Sequence, residues 1–200
     1  MIDTTGLKQE LQKLGKSSIL LGNRSMPLQL VLFVTSRCNM RCDHCFYLDE
    51  INDPSRTELS LQQIEVLAKG LGGLNWVALS GGEPYLRKDL VEIVQAFYKY
   101  SRPNIISHVT NGYYPDRVSI MTKEMAASCP KSKVLVIFSL DGLEATHEQI
   151  RHSPGSFNRV LESIQSAQKN QSKYPNLETG VVITAQDSNR EELVPLIEYI

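Results

Sequence analysis

The 200-residue sequence has little net charge, few cysteines and no long hydrophobic run. Its 21 basic and 22 acidic residues leave a formal charge of -1, which argues against a broad binding surface for nucleic acid or anionic membrane. No apolar run approaches the roughly 20 residues that a membrane-spanning helix requires. The first residues also lack the basic and apolar segments of a signal peptide. We therefore expect a cytoplasmic protein with no nucleic-acid or membrane partner.

Three of the four cysteines lie within eight residues of one another. In a chain without an export signal, Cys38, Cys42 and Cys45 favour metal or redox chemistry over a disulfide framework. Thiolates select zinc, copper(I) or iron–sulfur clusters, and a structural zinc site would need a fourth ligand. The spacing i, i+4, i+7 also fits one face of a helix, so three buried core cysteines are the structural alternative. Because free cysteine is commonly kept for its reactivity, the cluster interpretation is favoured.

The segment Gly81-Gly82-Glu83-Pro84 follows a short apolar run at 76–79. Two glycines allow a sharp turn and a close approach of the backbone to a ligand. Glu83 then places a carboxylate at the end of a predicted strand. By itself the segment could be an ordinary turn. Its position, one βα unit after the cysteines, favours a binding role.

Short apolar runs alternate with helical patterns along the chain, which predicts an α/β fold with a parallel sheet. The predicted strands lie near 28–34, 76–79, 105–109, 134–138 and 179–184, and the predicted helices near 60–71, 88–100, 117–127, 156–170 and from 191 onward. Residues 1–27 are expected to form an N-terminal helical extension, with a core domain over 28–200. The last helical pattern runs to Ile200, which indicates a longer protein. Ligands of parallel βα folds bind at the C-terminal ends of the strands, where the cysteines and Glu83 lie.

Further motifs follow the third and fourth predicted strands: Val109-Thr110-Asn111-Gly112, Phe138-Ser139-Leu140-Asp141-Gly142, His147-Glu148-Gln149-Ile150-Arg151 and Gly155-Ser156-Phe157. Together with the cysteines and the Gly-Gly-Glu-Pro segment, they resemble the radical S-adenosylmethionine (SAM) superfamily over about residues 28–200. The resemblance is greatest to the SPASM-type branch of peptide-modifying and sulfatase-maturing enzymes. Glu148 departs from a usual Asp, and Ser153 from a common Gly. The implied fold is a partial TIM-like (β/α)6 barrel of parallel strands, incomplete at its C-terminus.

The resemblance implies a role for each matching residue. Cys38, Cys42 and Cys45 would bind three irons of a [4Fe–4S] cluster, and SAM would chelate the fourth. The SAM-binding set would be Gly81, Gly82, Glu83, Pro84, Asn111, Ser139, Asp141, Arg151, His44 and Tyr47. Within it, Glu83 would hold the methionine amino group, Ser139 and Arg151 the carboxylate or ribose, and His44 and the Tyr47 backbone the adenine. Asn111 and Asp141 would lie near SAM or orient its neighbours.

Each of these residues also has a simpler interpretation. Asn111-Gly112 and Asp141-Gly142 are favourable turn pairs, Arg151 could be a solvated helix charge, and His44 an exposed loop residue. His147 and His152 are expected at the surface or in turns. Cys129 is interpreted as a bystander thiol on the far side of the sheet.

The implied reaction is reductive cleavage of SAM to a 5′-deoxyadenosyl radical, which abstracts hydrogen from a peptide or a small-molecule cofactor precursor. A flavodoxin or ferredoxin would supply the electron. Two alternatives remain: a zinc-binding interaction domain without catalysis, and a degenerate family member that holds a cluster as a scaffold.

Overall fold

Five parallel strands form one sheet whose order follows the chain, in a computed structural model that describes residues 27–200. The strands are β1 Gln29–Thr35, β2 Trp76–Gly81, β3 Ile105–Thr110, β4 Lys133–Ser139 and β5 Leu177–Val182. Every neighbouring pair is parallel, and β1 and β5 are the two edges, so the sheet is open. The predicted α/β partial barrel is thereby confirmed, with five strands in the described residues where (β/α)6 would have six.

The helices occupy the connections between the strands. They are α1 Leu61–Leu71, α2 Leu90–Tyr100, α3 Pro115–Ser128, α4 Glu144–Arg151, α5 Ser156–Gln171 and α6 Leu193–Tyr199. Single 3₁₀ turns at Pro84–Leu86 and Arg190–Glu192 complete the described elements. None of the helices in 27–200 is long and apolar enough to cross a bilayer. The helical extension predicted over 1–27 lies outside the described residues except for residue 27.

Short α4 was not predicted from the sequence. Its eight residues bury only His147, Ile150 and Arg151, which gives too brief an apolar pattern to indicate a helix. The expectation that His147 lies at the surface or in a turn is wrong, because its side chain is fully buried in this helix. His152 directly after α4 has a left-handed φ of 47° and is exposed.

The two faces of the sheet differ in burial, and this difference positions the site. On β4, Val134, Val136 and Phe138 are fully buried in the main hydrophobic cluster, together with residues of the helices. The intervening Ile137 and Ser139 are only partly buried. Because side chains alternate across a strand, the second face stays open toward the side where the barrel would close.

His108 on β3 is enclosed on the helix-covered side of the sheet. Its Nε2 shares a hydrogen bond of 2.7 Å with the Tyr85 hydroxyl. Burial lowers the pKa of His108 from 6.5 to about 4. Between these two pH values the unfolded chain therefore binds more protons than the folded chain, and the folded state loses stability as the pH falls.

We expect His108 to contribute about 2 kcal/mol to the loss of unfolding free energy between pH 7.5 and pH 5. Urea unfolding of the full chain at the two pH values measures the loss. A His108→Gln variant keeps a polar partner for Tyr85 but cannot titrate, so its loss should be smaller by this amount. An unchanged pH dependence in the variant would contradict the assignment.

Candidate functional site

The C-terminal ends of all five strands, with the segments that follow them, meet at one cavity of about 370 Å³. This volume is within the range of small-molecule binding sites. Ten of the predicted site residues line it: Cys38, Cys42, Cys45, His44, Gly81, Gly82, Glu83, Asn111, Ser139 and Arg151. Pro84, Asp141 and Tyr47 do not line the cavity. Pro84 and Asp141 are buried behind it, and Tyr47 packs edge-on against Phe33 at 5.2 Å between ring centroids.

The three clustered cysteines lie in a loop of turns and bends, the cysteine loop (residues 36–59), which leaves the end of β1. The alternative of a buried helix face is therefore wrong, and all three thiols are partly accessible. Within residues 27–200, no three His, Cys, Asp or Glu side chains are grouped closely enough to hold a metal ion. In a four-iron cluster each thiolate binds a different iron, so the sulfurs do not need to meet at one ion.

The electrostatic environment of these thiols disfavours three bare thiolates. Burial, together with the charges of Glu83, Cys42 and Cys45, raises the pKa of Cys38 to about 11, although a hydrogen bond from Met40 N–H opposes the rise. Burial also raises the pKa of Cys42, while the positive charge of Arg151 lowers it. A bound metal centre would supply the missing positive charge and hold the ligands deprotonated.

Gly81 and Gly82 allow β2 to pack directly against the start of the cysteine loop. Gly82 N–H donates to Thr35 O at 2.8 Å, and Glu83 N–H donates to Arg37 O at the same distance. A Cβ on Gly81 would lie 2.3 Å from Thr35 O, and one on Gly82 would lie 2.2 Å from Arg37 O. The sequence predicted a close backbone approach to a ligand. In the structure the approach is to the backbone that carries the cysteines.

Glu83 is a buried carboxylate on the cavity wall. It accepts hydrogen bonds from Asn111 N–H at 2.7 Å, the Thr110 hydroxyl at 2.8 Å and Tyr85 N–H at 3.0 Å. Burial raises its pKa, and these three donors oppose the rise. In residues 27–200, no Lys, Arg or His nitrogen lies within 4.0 Å of this carboxylate. The site therefore offers a carboxyl group without an ion-pair partner to a cationic group of a ligand.

On the opposite wall, Arg151 is anchored by Asp141. Arg151 Nη2 donates to Asp141 Oδ2 at 2.6 Å, and Thr184 N–H donates to Asp141 Oδ1 at 2.9 Å. His44 Nε2 lies 3.7 Å from Asp141 Oδ2, the oxygen that also binds Arg151. Burial lowers the pKa of His44. Arg151 is thus a buried, paired cation and not the solvated helix charge of the simpler interpretation, and Asp141 orients a neighbour of the cavity.

Sequence comparison identifies the family that shares this arrangement. The model of the radical SAM superfamily matches residues 32–200 of the chain. This chain belongs to the radical SAM superfamily. The family implies a [4Fe–4S] cluster and SAM as cofactors. The three partly accessible thiols and the Glu83 carboxylate, which has no ion-pair partner among the described residues, fit them, because they offer iron ligands and a partner for the SAM amino group.

Most of this chain matches individual radical SAM relatives, but the match covers only part of each relative's length. GTP 3′,8-cyclase from Xanthomonas campestris pv. campestris (strain B100) is 28% identical over 177 residues, which cover 85% of this chain and 50% of that protein. Fe-coproporphyrin III synthase from Methanosarcina barkeri (strain Fusaro / DSM 804) is 28% identical over 170 residues, or 84% of this chain and 39% of that protein. The chain thus spans about half the length, or less, of these curated relatives.

Solved structures agree in fold. Streptococcus suis SuiB bound to S-adenosylmethionine has a TM-score of 0.61 with this chain at 19% identity, covering 98% of this chain and 49% of SuiB. Native anSMEcpe with bound AdoMet has a TM-score of 0.57 with this chain at 23% identity. The match covers 78% of this chain and 43% of anSMEcpe. At these identities the likeness shows the radical SAM fold alone.

Several residues that support the radical SAM site were missed from the sequence. Asn52, at a left-handed φ of 59°, accepts from Cys38 N–H at 3.1 Å and donates to Cys38 O at 2.9 Å. Asn39 accepts from the Asn111 amide at 2.9 Å. Nothing in the local pattern marks these asparagines apart from ordinary turn residues. Cys129 is fully buried in the hydrophobic core and does not line the cavity.

Proposed function

We propose that this radical SAM domain binds a [4Fe–4S] cluster through Cys38, Cys42 and Cys45 and binds SAM beside it. The observation that carries the proposal is that the three thiols and the buried carboxylate of Glu83 line the same cavity. When bound, the cluster supplies an electron for reductive cleavage of SAM, which makes SAM the source of a 5′-deoxyadenosyl radical for hydrogen abstraction from a substrate. Every other contribution comes from the protein.

The polar groups of the cavity support a particular orientation of SAM. Glu83 would accept from its amino group, since this carboxyl group lines the cavity and has no cationic partner among the described residues. On the facing wall, Ser139 and Arg151 would contact the methionine carboxylate or the ribose. Asn111 would contact SAM or hold the Glu83 side of the cavity in place through its N–H donor.

The remaining residues of the predicted SAM-binding set would act at the edges of the ligand. The backbone of Gly81 and the Pro84 turn would complete the wall around the amino group, and His44 with the Tyr47 backbone would contact the adenine. Apolar side chains share the lining and would restrict water near the reacting atoms: Met40, Phe46, Ile51, Val109 and Val182.

A peptide is the first proposed substrate and a small cofactor precursor is the second. The motifs after β4 support the peptide because they resemble the peptide-modifying branch, and SuiB was crystallised with its precursor peptide SuiA. GTP 3′,8-cyclase and Fe-coproporphyrin III synthase support a small molecule by their names. A flavodoxin or ferredoxin is the proposed reductant. A cytoplasmic location suits the four free thiols of the chain.

Anaerobic reconstitution with iron and sulfide tests the ligand assignment. Wild type and Cys129→Ala should each bind four irons and, when reduced, show the EPR signal of a [4Fe–4S] cluster. Cys42→Ala should lose most of the iron and the signal, because a cluster ligand is removed. Cys129→Ala is the matched control, since it removes a thiol that does not line the cavity.

Two outcomes would contradict the proposal. A Cys42→Ala variant that keeps the full cluster would show that the ligand assignment is wrong. A colourless wild-type protein that retains stoichiometric zinc and takes up no iron would support the zinc-binding interaction domain instead.

A further inference from the structure

Arg151 is aimed at one of the three clustered thiols. Its Nη1 lies 3.8 Å from Cys42 Sγ, while its Nη2 donates to Asp141 Oδ2 at 2.6 Å. Both side chains of the Arg151–Asp141 pair are buried, with exposures of 6% and 1%. Among residues 27–200, no other arginine donates a hydrogen bond to a cysteine sulfur.

The backbone fixes this contact independently of the guanidinium. Asp43, the residue after Cys42, donates its N–H to Ile150 O at 2.9 Å, so the cysteine loop is attached to the C-terminal end of α4 next to Arg151. Asp141 is held in turn by Thr184 N–H and by Asn189, whose Nδ2 donates to Asp141 O at 2.7 Å. The cation therefore has a fixed place relative to the sulfur.

We propose that Arg151, held by Asp141, raises the reduction potential of the cluster through its contact with Cys42 Sγ. This inference rests on the proposed function. Hydrogen bonds and charges near cluster sulfurs set the potential, and a cation stabilises the reduced form, which carries one more negative charge. The forked guanidinium suits this task because it reaches a carboxylate and a sulfur at once.

The same guanidinium can still serve SAM. A guanidinium carries five N–H groups, and the contacts to Cys42 and Asp141 use two of them, so donors remain for a ligand in the cavity that Arg151 lines. The effect on the cluster is accordingly measured without SAM, where only the contacts described above operate.

Redox titration of the reconstituted full-length chain, followed by EPR without SAM, tests the inference. Arg151→Gln should shift the midpoint potential to a more negative value, and Arg151→Lys should restore part of the shift. Arg41→Gln is the matched control: it removes an exposed arginine adjacent to Cys42 in sequence and should leave the potential close to that of wild type.

The outcomes separate this inference from the proposed function. If the Arg151→Gln cluster forms with the wild-type potential, Arg151 has only a structural or SAM-binding role and the inference is overturned. If Arg151→Gln retains no iron, Arg151→Lys decides: lysine keeps the charge but lacks the fork that reaches Asp141 and Cys42 Sγ at once, so a wild-type potential in this variant overturns the inference. If wild type itself binds no cluster, the proposed function fails, and this inference fails with it.

Discussion

Replacing Gly82 with alanine is expected to lower the free energy of unfolding by about 3 kcal/mol or more. The new Cβ would lie 2.2 Å from Arg37 O and 2.7 Å from Arg37 C, and both atoms belong to backbone that cannot rotate away. To remove this clash, β2 and the start of the cysteine loop must move apart, which would break the hydrogen bond from Glu83 N–H to Arg37 O. Because Cys38 follows Arg37, we also expect the variant to bind less iron.

Gly70→Ala is the matched control for this substitution. Gly70 lies exposed in α1, and its added Cβ would meet no atom within 4 Å. Alanine there should stabilise the protein by about 0.5–1 kcal/mol because of its better helix propensity. Urea unfolding of both variants and their iron content after reconstitution provide the comparison. If Gly82→Ala has wild-type stability and iron content, the packing of β2 against the cysteine loop does not hold the loop in place.

Replacing Arg87 with methionine is expected to destabilise the chain by about 3 kcal/mol or more. Arg87 is 4% exposed and joins β1 to the end of the cysteine loop: Nη1 donates to Val34 O, and Nη2 donates to Leu59 O at 2.6 Å. Its Nε pairs with Asp89 Oδ1 at 2.8 Å. Methionine fills similar volume but leaves the two carbonyl groups without this donor, and the carbonyl groups are costly to leave unpaired.

Arg87→Lys separates charge from geometry, because lysine keeps the charge but lacks the fork that reaches both carbonyl groups. We expect an intermediate loss of stability. Lys88→Met changes the adjacent exposed residue and should stay within about 0.5 kcal/mol of wild type. Urea unfolding measures all three variants. If Arg87→Met is as stable as Lys88→Met, Arg87 does not hold the base of the loop.

The strands and the location of the site were predictable because both depend on local patterns. Buried parallel strands are short apolar runs, and each of the five was found within two residues of its observed start. The site followed from the rule that loops after parallel strands share one edge of the sheet, which brought Cys38, Glu83 and Ser139 to one cavity.

The supporting contacts could not be predicted, because they depend on residues far apart in sequence. Arg87 lies in a charged stretch beside Lys88, which is typical of a protein surface, yet its guanidinium is buried by partners from β1 and the end of the cysteine loop. His147 was assigned to the surface because α4 is too short to show a periodic pattern. The need for glycine at position 82 comes from the backbone of Arg37, which no local motif reveals.

The central claim is that the cysteines and Glu83 bring a cluster and SAM together for reductive cleavage. The most direct measurement is the yield of 5′-deoxyadenosine from SAM after anaerobic reconstitution and addition of a strong reductant. The account predicts that iron-loaded wild type forms 5′-deoxyadenosine and that Cys42→Ala does not. Fully iron-loaded wild type that binds SAM and forms no 5′-deoxyadenosine would contradict it, and would favour a scaffold that keeps the cluster without the chemistry.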